Sequence, residues 1–118
     1  MDFEFNNALP IWTQIASQLK ERIVTGQYPA GSTFPTVRNL AAEAGVNPNT
    51  MQRAMSQLES EGLLATNRTS GRVVTSDNEV LEDTRIALAE ERTKRYLKEM
   101  KALGYDNSDA IIFIKEDD

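Results

Sequence analysis

The sequence predicts a mainly α-helical protein with one small β-hairpin, arranged as an N-terminal winged helix-turn-helix and a short C-terminal helical tail. Three observations predict this fold. Apolar residues recur at helical spacing in three segments of residues 10–62, two short β-type segments surround a turn in residues 63–75, and no Gly or Pro interrupts residues 79–103. The chain therefore divides into two predicted domains, residues 1–76 and residues 77–118.

The first helix is predicted between Pro10 and Gly26. One face carries an apolar residue at every fourth position, which is a helical spacing: Ile11, Ile15, Leu19 and Ile23. Proline suits the first turn because the amide hydrogen that it lacks would have no partner there. Residues 28–31, Tyr-Pro-Ala-Gly, then predict a turn.

Two shorter helices follow, joined by a tight turn. The second helix is predicted at about residues 36–44, and Gly45 ends it in the left-handed conformation that glycine adopts easily. Asn47 is a strong N-cap and Pro48 suits a first helical position, so a third helix begins there and ends at Gly62. The inward faces of these two helices carry Val37, Leu40 and Ala41, and then Met51, Ala54, Met55 and Leu58.

A hairpin and two further helices complete the chain. Residues 63–66 and 72–75 are β-type segments on either side of a turn at residues 67–71, and they predict the wing. A linker at residues 76–78, a helix at about residues 79–103 and a short helix from Ser108 through Ile114 follow.

Composition excludes several classes of protein. The sequence has no Cys and no His, which excludes disulfides, thiolate metal sites and Ser-His catalytic pairs. We therefore predict no catalytic residue, no metal site and no cofactor. No apolar run approaches the ~20 residues that a membrane-spanning helix needs, and residues 1–4 lack the basic start of a signal peptide. These features predict a cytoplasmic protein with no membrane partner.

The charge is distributed unevenly along the chain. The net charge is −5, which by itself argues against binding to DNA phosphates. Residues 1–76 hold six Lys/Arg and six Asp/Glu and are neutral, whereas residues 77–118 hold seven basic and twelve acidic residues and carry the whole −5. A DNA-binding prediction therefore depends on where the arginines lie within the first domain.

The helix-turn-helix supplies the candidate site. In such motifs the second helix enters the major groove, led by its N-terminal residues. Here those residues are Asn47, Asn49, Thr50, Gln52 and Arg53. Asn and Gln pair with adenine edges, Arg pairs with guanine, and Thr contacts a phosphate or a thymine methyl. Arg38 is placed to reach a phosphate, and Arg68 and Arg72 flank the wing, so four arginines are predicted to converge on one face.

Each of these residues also has an ordinary structural explanation. Asn47 caps its helix whether or not it touches DNA. Arg38 and Gln52 are ordinary exposed residues when taken singly, and Arg68 and Arg72 are ordinary hairpin charges. A helix-turn-helix followed at once by a hairpin with an arginine on either side is a more specific pattern, and it favours DNA binding.

Several stretches within residues 8–75 follow one family pattern: Pro10-Ile11-Trp12, Phe34-Pro35-Thr36-Val37-Arg38-Asn39-Leu40-Ala41, Gly45-Val46-Asn47-Pro48-Asn49-Thr50-Met51 and Glu61-Gly62-Leu63. They resemble the GntR family of winged-helix repressors, and the Val-Asn-Pro-Asn-Thr stretch with the short tail resembles its YtrA subfamily. The resemblance implies a homodimeric repressor that reads a pseudo-palindromic operator in double-stranded DNA. It implies DNA contacts by Arg38, Asn47, Asn49, Thr50, Gln52, Arg53 and the wing tip Thr69, Ser70 and Gly71.

The wing departs from the family pattern. The family wing usually reads Arg-Gly-x-Gly-Thr-Phe-Val, whereas Thr69 replaces the first glycine here and Arg72-Val73 stands where Thr-Phe is common. Glycine allows close backbone approach, so we expect this wing to contact DNA differently or less closely.

The tail has an apolar seam that needs cover. At about 42 residues it is too short to enclose a ligand cavity of ~300 Å³ while stabilising itself. We predict that it is a dimer interface formed by Leu81, Leu88, Tyr96, Met100, Leu103, Ile111, Ile112 and Phe113. The alternative is a cap on the chain's own first domain. A small-molecule effector beside Trp12, Tyr96 or Tyr105 stays open, as does a plain core role for those aromatics.

Three functions compete on this evidence. The leading one is a repressor of its own operon, which by analogy with the subfamily often encodes a transporter. The second is a winged-helix module that binds protein, which the neutral charge of residues 1–76 allows. The third, an enzyme, has neither His, Cys nor a phosphate-binding glycine loop to support it.

Overall fold

A computed structural model describes residues 2–117; Met1 and Asp118, the outer ends of the two predicted domains, lie outside the described residues. The elements in chain order are α1 (Ile11–Val24), α2 (Val37–Ala44), α3 (Pro48–Ser60), β1 (Leu64–Asn67), β2 (Gly71–Val74), α4 (Asn78–Ala102) and α5 (Asn107–Asp117). The chain forms two compact units that divide between Arg85 and Ile86, inside α4. The predicted fold class is confirmed.

The predicted caps fix the helix-turn-helix. Thr36 Oγ1 accepts a hydrogen bond from the Asn39 amide at 3.1 Å and begins α2. Gly45 has a φ of 69° and ends α2, as its position in the sequence predicted. Asn47 Oδ1 accepts from the Asn49 amide at 2.7 Å and begins α3. These local interactions set the angle at which α3 leaves the turn.

The hairpin forms one residue away from the predicted positions. β1 and β2 pair antiparallel with Leu64 opposite Val74 and Asn67 opposite Gly71. Asn67 explains the shift, because its Oδ1 accepts from both the amide and the hydroxyl of Thr69, each at 2.9 Å, while its backbone stays in the ladder. The turn therefore shortens to residues 68–70.

A third extended segment joins the hairpin, and the sequence predicted only a turn just before it. Thr33 pairs antiparallel with Val73. The Phe34 amide donates to the Arg72 carbonyl at 2.8 Å, and the Val74 amide donates to the Ser32 carbonyl at 2.9 Å. The wing is thus tied to the segment that leads into α2, which fixes it relative to the helix-turn-helix.

The core of the N-terminal unit lies between α1, α2, α3 and the hairpin. Its buried apolar residues are Ile15, Ala16, Leu19, Ile23, Phe34, Leu40, Ala41, Met51, Ala54, Met55, Leu58, Leu63, Leu64 and Val74. α1 and α2 both pack on α3, so the inner face of α3 is fully covered and only its outer face is available to a partner. Val80 and Leu81, at the start of α4, pack against the same core.

Residues 2–9 form an N-terminal arm that the sequence did not predict. Gln18 pairs with the backbone of Glu4, accepting at 3.0 Å and donating at 2.6 Å. Gln14 pairs in the same way with Asn6, accepting at 3.0 Å and donating at 2.9 Å. Gln14 and Gln18 are one helical turn apart, and Glu4 and Asn6 are two residues apart in an extended chain. The rise of one helical turn and the rise of two extended residues are both between about 5 and 7 Å, so each glutamine faces one of these residues.

The C-terminal unit has little buried surface of its own. From Ile86 to the end of the described chain, the buried residues are Leu88 and Ala110. Tyr105 and Phe113 make an edge-to-face contact with ring centroids 5.1 Å apart. α5 runs three residues past the predicted end at Ile114, because no glycine or proline follows to stop it.

Candidate nucleic-acid interface

The outer face of α3 carries the predicted base-reading residues. Met51, Ala54, Met55 and Leu58 are buried on its inner face. Asn49, Gln52 and Arg53 are exposed on the other side, and Thr50 is half-buried. The Gln52 amide donates to Ser56 at 3.0 Å, a weak surface contact that a base edge can replace. The 3.6-residue period therefore separates core from polar surface as the sequence predicted.

Asn47 caps α3 and is also exposed to a binding partner. Its side-chain oxygen holds the Asn49 amide as the helix cap, while the residue itself is exposed. The cap does not use the two side-chain amide hydrogens of Asn47, so they can donate to a partner.

Arg53 lies on Trp12. The guanidinium carbon is 4.3 Å from the centroid of the Trp12 ring, a cation–π contact between α3 and the start of α1. Sequence reasoning missed this pairing, because the two residues are 41 positions apart and only the packing of α1 on α3 brings them together.

Ion pairing divides the basic residues of the N-terminal unit into two groups. Four of them contact a carboxylate: Lys20 with Glu61, Arg22 with Glu43, Arg72 with Glu59 and Arg85 with Glu82. Within residues 2–117, no carboxylate lies within ion-pair distance of Arg38, Arg53 or Arg68. These three are exposed residues of α2, α3 and the wing turn, and their charge is available to an external anion.

Arg72 differs from the other three predicted arginines. Its side chain is only 18% exposed, and Nε lies 3.8 Å from Glu59 Oε1. Thr66 also donates a hydrogen bond to that carboxylate, so α3 and both wing strands meet at Glu59. The structure thus places Arg72 inside a contact between helix and wing, and a role in DNA binding requires that contact to open. Nothing in the sequence indicated Glu59 as a partner.

The wing tip is exposed at Thr69, Ser70 and Gly71. Gly71 has a φ of 77°, and a Cβ at this position would meet nothing within 4 Å. Backbone conformation rather than crowding therefore requires glycine here. Beside the tip, a groove of about 340 Å³ runs between the wing and the start of α2, with Thr36, Thr66 and Ser70 among its lining residues.

The six acidic residues of residues 1–76 fall into two groups. Asp2, Glu4 and Glu21 line one open hollow beside the N-terminal arm. Glu43, Glu59 and Glu61 are those already engaged with basic side chains. Hence a unit with no net charge over residues 1–76 still presents unneutralised arginines around α3.

The predicted dimer residues fall into two groups. Leu81 packs against the core of its own unit and Leu88 is buried, so both are already covered within one chain. Leu103, Ile111, Ile112 and Phe113 are exposed, by 44% to 73%, Tyr96 is exposed and Met100 is half-buried. Ile86, Tyr105 and Ile114 are exposed as well and extend the apolar surface beyond the predicted set.

No helix of the described residues is long and apolar enough to cross a membrane. α2 and α3 form a short helix pair with polar residues at the start of α3, and the wing that follows is tied to the segment that leads into α2. This arrangement defines the winged helix-turn-helix class of regulators. Comparison with known proteins assigns the family within that class.

The family profile "Bacterial regulatory proteins, gntR family" matches residues 12–74. The uncharacterized HTH-type transcriptional regulator YhcF of Bacillus subtilis is 34% identical over 115 residues, which are 98% of this chain and 95% of the relative. The HTH-type transcriptional repressor YtrA of the same organism is 30% identical over 111 residues, covering 93% and 85%. The chain belongs to the GntR family and is a YtrA-like transcriptional regulator, not an enzyme.

Solved structures agree with this assignment. A GntR family transcriptional regulator from Listeria monocytogenes superposes with a TM-score of 0.83 at 35% identity, covering 95% of this chain and 98% of that one. The DNA-binding domain of AraR in complex with operator ORX1 superposes with a TM-score of 0.56 at 26% identity, covering 64% and 99%. The first comparison includes the tail and the second stops at the winged helix.

Proposed function

We propose that the chain is a homodimeric repressor that binds a pseudo-palindromic operator, controls its own operon and acts in the bacterial cytoplasm. The observation that carries the DNA-binding part is the charge pattern around α3. Arg38, Arg53 and Arg68 are exposed and have no carboxylate partner among the described residues. Affinity for DNA depends on such unneutralised cations facing phosphates.

The residues divide into proposed roles by their positions. Asn49, Gln52 and Arg53 on the outer face of α3 read base edges in the major groove, and Thr50 contacts a phosphate or a thymine methyl. Arg38 at the start of α2 binds a backbone phosphate. Arg68 and the exposed wing tip contact the neighbouring backbone or minor groove. Arg72 joins them only when it leaves Glu59.

The dimer and the repressor role have separate support. The exposed apolar side chains of α5 and the end of α4 need cover, and a two-fold dimer would both cover them and match a palindromic operator. The relative YtrA is named a transcriptional repressor. The covered residues Leu81 and Leu88 are not part of the surface that we propose.

Binding to a protein partner is the competing function. A protein-binding helix face carries exposed aromatic or large apolar anchors. The start of α3 exposes Asn49, Gln52 and Arg53 instead, which favours DNA. The composition of this face is therefore the feature that separates the two functions.

The test is fluorescence anisotropy at ~150 mM salt on DNA from upstream of the gene, compared with random DNA. We expect binding at least ~10³-fold tighter to the upstream DNA. Arg38→Ala should weaken binding to every duplex and lower the salt slope by about one, because it removes a phosphate contact. Arg85→Ala, which removes an arginine paired with Glu82, is the matched control and should change neither value. Equal, weak binding to both duplexes would contradict the proposal.

A further inference from the structure

We propose that Trp12 is a positioning residue for DNA recognition, because its ring holds the guanidinium of Arg53 through a cation–π contact and leaves N–H donors available to DNA. This inference rests on the proposed function and deepens it. The observation is the 4.3 Å separation between Arg53 Cζ and the centroid of the Trp12 ring. Trp12 lies at the start of α1, outside the helix-turn-helix to which base recognition is usually assigned.

The contact with Trp12 leaves the N–H donors of Arg53 available to bind DNA. A guanidinium is flat, and its five N–H donors point outward in the plane of the group. A cation–π contact requires no hydrogen-bond acceptor, so it does not commit these donors to an acceptor in the protein. No ion pair and no side-chain hydrogen bond of Arg53 occurs within residues 2–117, so these donors are not committed elsewhere in the protein. The side chain is held and still able to bind.

The direction of the side chain suits the major groove. The Cα–Cβ bonds of a helix tilt toward its N-terminus, which for α3 is the end that leads into DNA. Arg53 is one turn after Asn49 on the same exposed side of α3. Without a neighbour, a long arginine side chain loses more rotamer freedom when it is ordered by a ligand. Trp12 restricts that freedom before DNA arrives.

Arg22 also contacts an aromatic ring, but its contact is purely structural. Arg22 lies 4.0 Å from the Phe3 ring centroid, but it is 1% exposed, donates to the Tyr28 hydroxyl at 2.7 Å and contacts Glu43 at 3.3 Å. Arg22 is enclosed by the protein, whereas Arg53 is exposed and touches one aromatic face. The two sites therefore provide a matched pair for experiment.

The test is a double-mutant cycle on a duplex selected from a random library by the wild-type protein. Arg53→Met should lower affinity for the selected duplex by about 5- to 150-fold, the range for one bidentate base contact. Trp12→Leu should lower it by about two- to five-fold, the range for an exposed cation–π contact. In the Arg53→Met background, Trp12→Leu should have no further effect. In the protein that keeps Arg53, Trp12→Tyr should retain most of the wild-type affinity.

Controls separate positioning from folding. Tyr28→Leu removes an aromatic ring beside the enclosed Arg22 and should leave DNA affinity unchanged once the protein is confirmed folded by its melting curve. If Trp12→Leu fails to fold, Trp12→Phe completes the cycle, because it keeps the aromatic packing and weakens the hold on a cation.

The outcomes distinguish the two proposals. Equal losses from Trp12→Leu with and without Arg53 would overturn the positioning role and leave DNA binding intact. A wild-type protein that selects no duplex, or binds selected and random duplexes alike, would overturn the proposed function and this inference with it. A loss from Trp12→Leu that disappears without Arg53 would establish the role of Trp12.

Discussion

The N-terminal and C-terminal units use their apolar residues in opposite ways. In the N-terminal unit most of the large apolar side chains of α1, α2 and α3 are buried around one core, whereas Ile11 at the start of α1 is exposed. In the C-terminal unit only Leu88 and Ala110 are buried among the described residues, while Ile111, Ile112 and Phe113 face outward. The first unit buries most of its apolar surface and exposes arginines, and the second leaves exposed the apolar surface on which the proposed dimer depends. This contrast is why we assign recognition to the first and association to the second.

The largest effect is expected from placing a charge on the exposed apolar surface of the tail, which tests whether this surface mediates association. Ile112→Asp should convert the proposed dimer to a monomer, because burying an unpaired carboxylate in an apolar interface is strongly unfavourable. Loss of the second half-site contact should lower operator affinity by about 10²-fold or more. Sedimentation velocity and anisotropy on operator DNA measure the two effects. Lys115→Asp, on the same helix, should alter neither, and a dimeric Ile112→Asp would place the interface elsewhere.

Two leucine-to-alanine substitutions, one in each unit, test the comparison through the free energy of unfolding. Leu58 is fully buried on α3, so Leu58→Ala should lower the free energy of unfolding by about 2–5 kcal/mol. Leu103 is 73% exposed, so Leu103→Ala should change it by less than about 0.5 kcal/mol in a monomer. Both are compared by urea unfolding in the Ile112→Asp background, where association does not contribute. Comparable losses at the two sites would mean that the tail has a core of its own.

The smallest predicted effect concerns the contact between wing and helix. Glu59→Gln removes the carboxylate that holds Arg72 and so frees a cation beside the wing. We expect tighter binding to random DNA and a salt slope steeper by about one, because one more phosphate can be neutralised. Glu82→Gln, which releases Arg85 on α4, is the control. An unchanged slope would show that Arg72 does not reach DNA.

Much of the fold follows from interactions that are local in sequence. The helix period predicted which face of α3 is buried, and Thr36, Gly45 and Asn47 predicted where the two helices of the motif end and begin. These features are readable because a cap or a repeat involves residues within four positions of each other. Hence the class of protein and the set of exposed polar residues on α3 were predictable from the chain alone.

Contacts between residues distant in sequence were decided by the tertiary structure. The sequence predicted that four arginines converge on one face, but packing paired Arg72 with Glu59. It placed Arg53 against the Trp12 ring and left Arg38 and Arg68 exposed. It likewise packed the half-buried Leu81 against the core of its own unit. The physical reason is that periodicity fixes only which face of an element a residue occupies. Which charge or ring it meets there depends on how separate elements pack, and that packing determines which arginines can bind DNA.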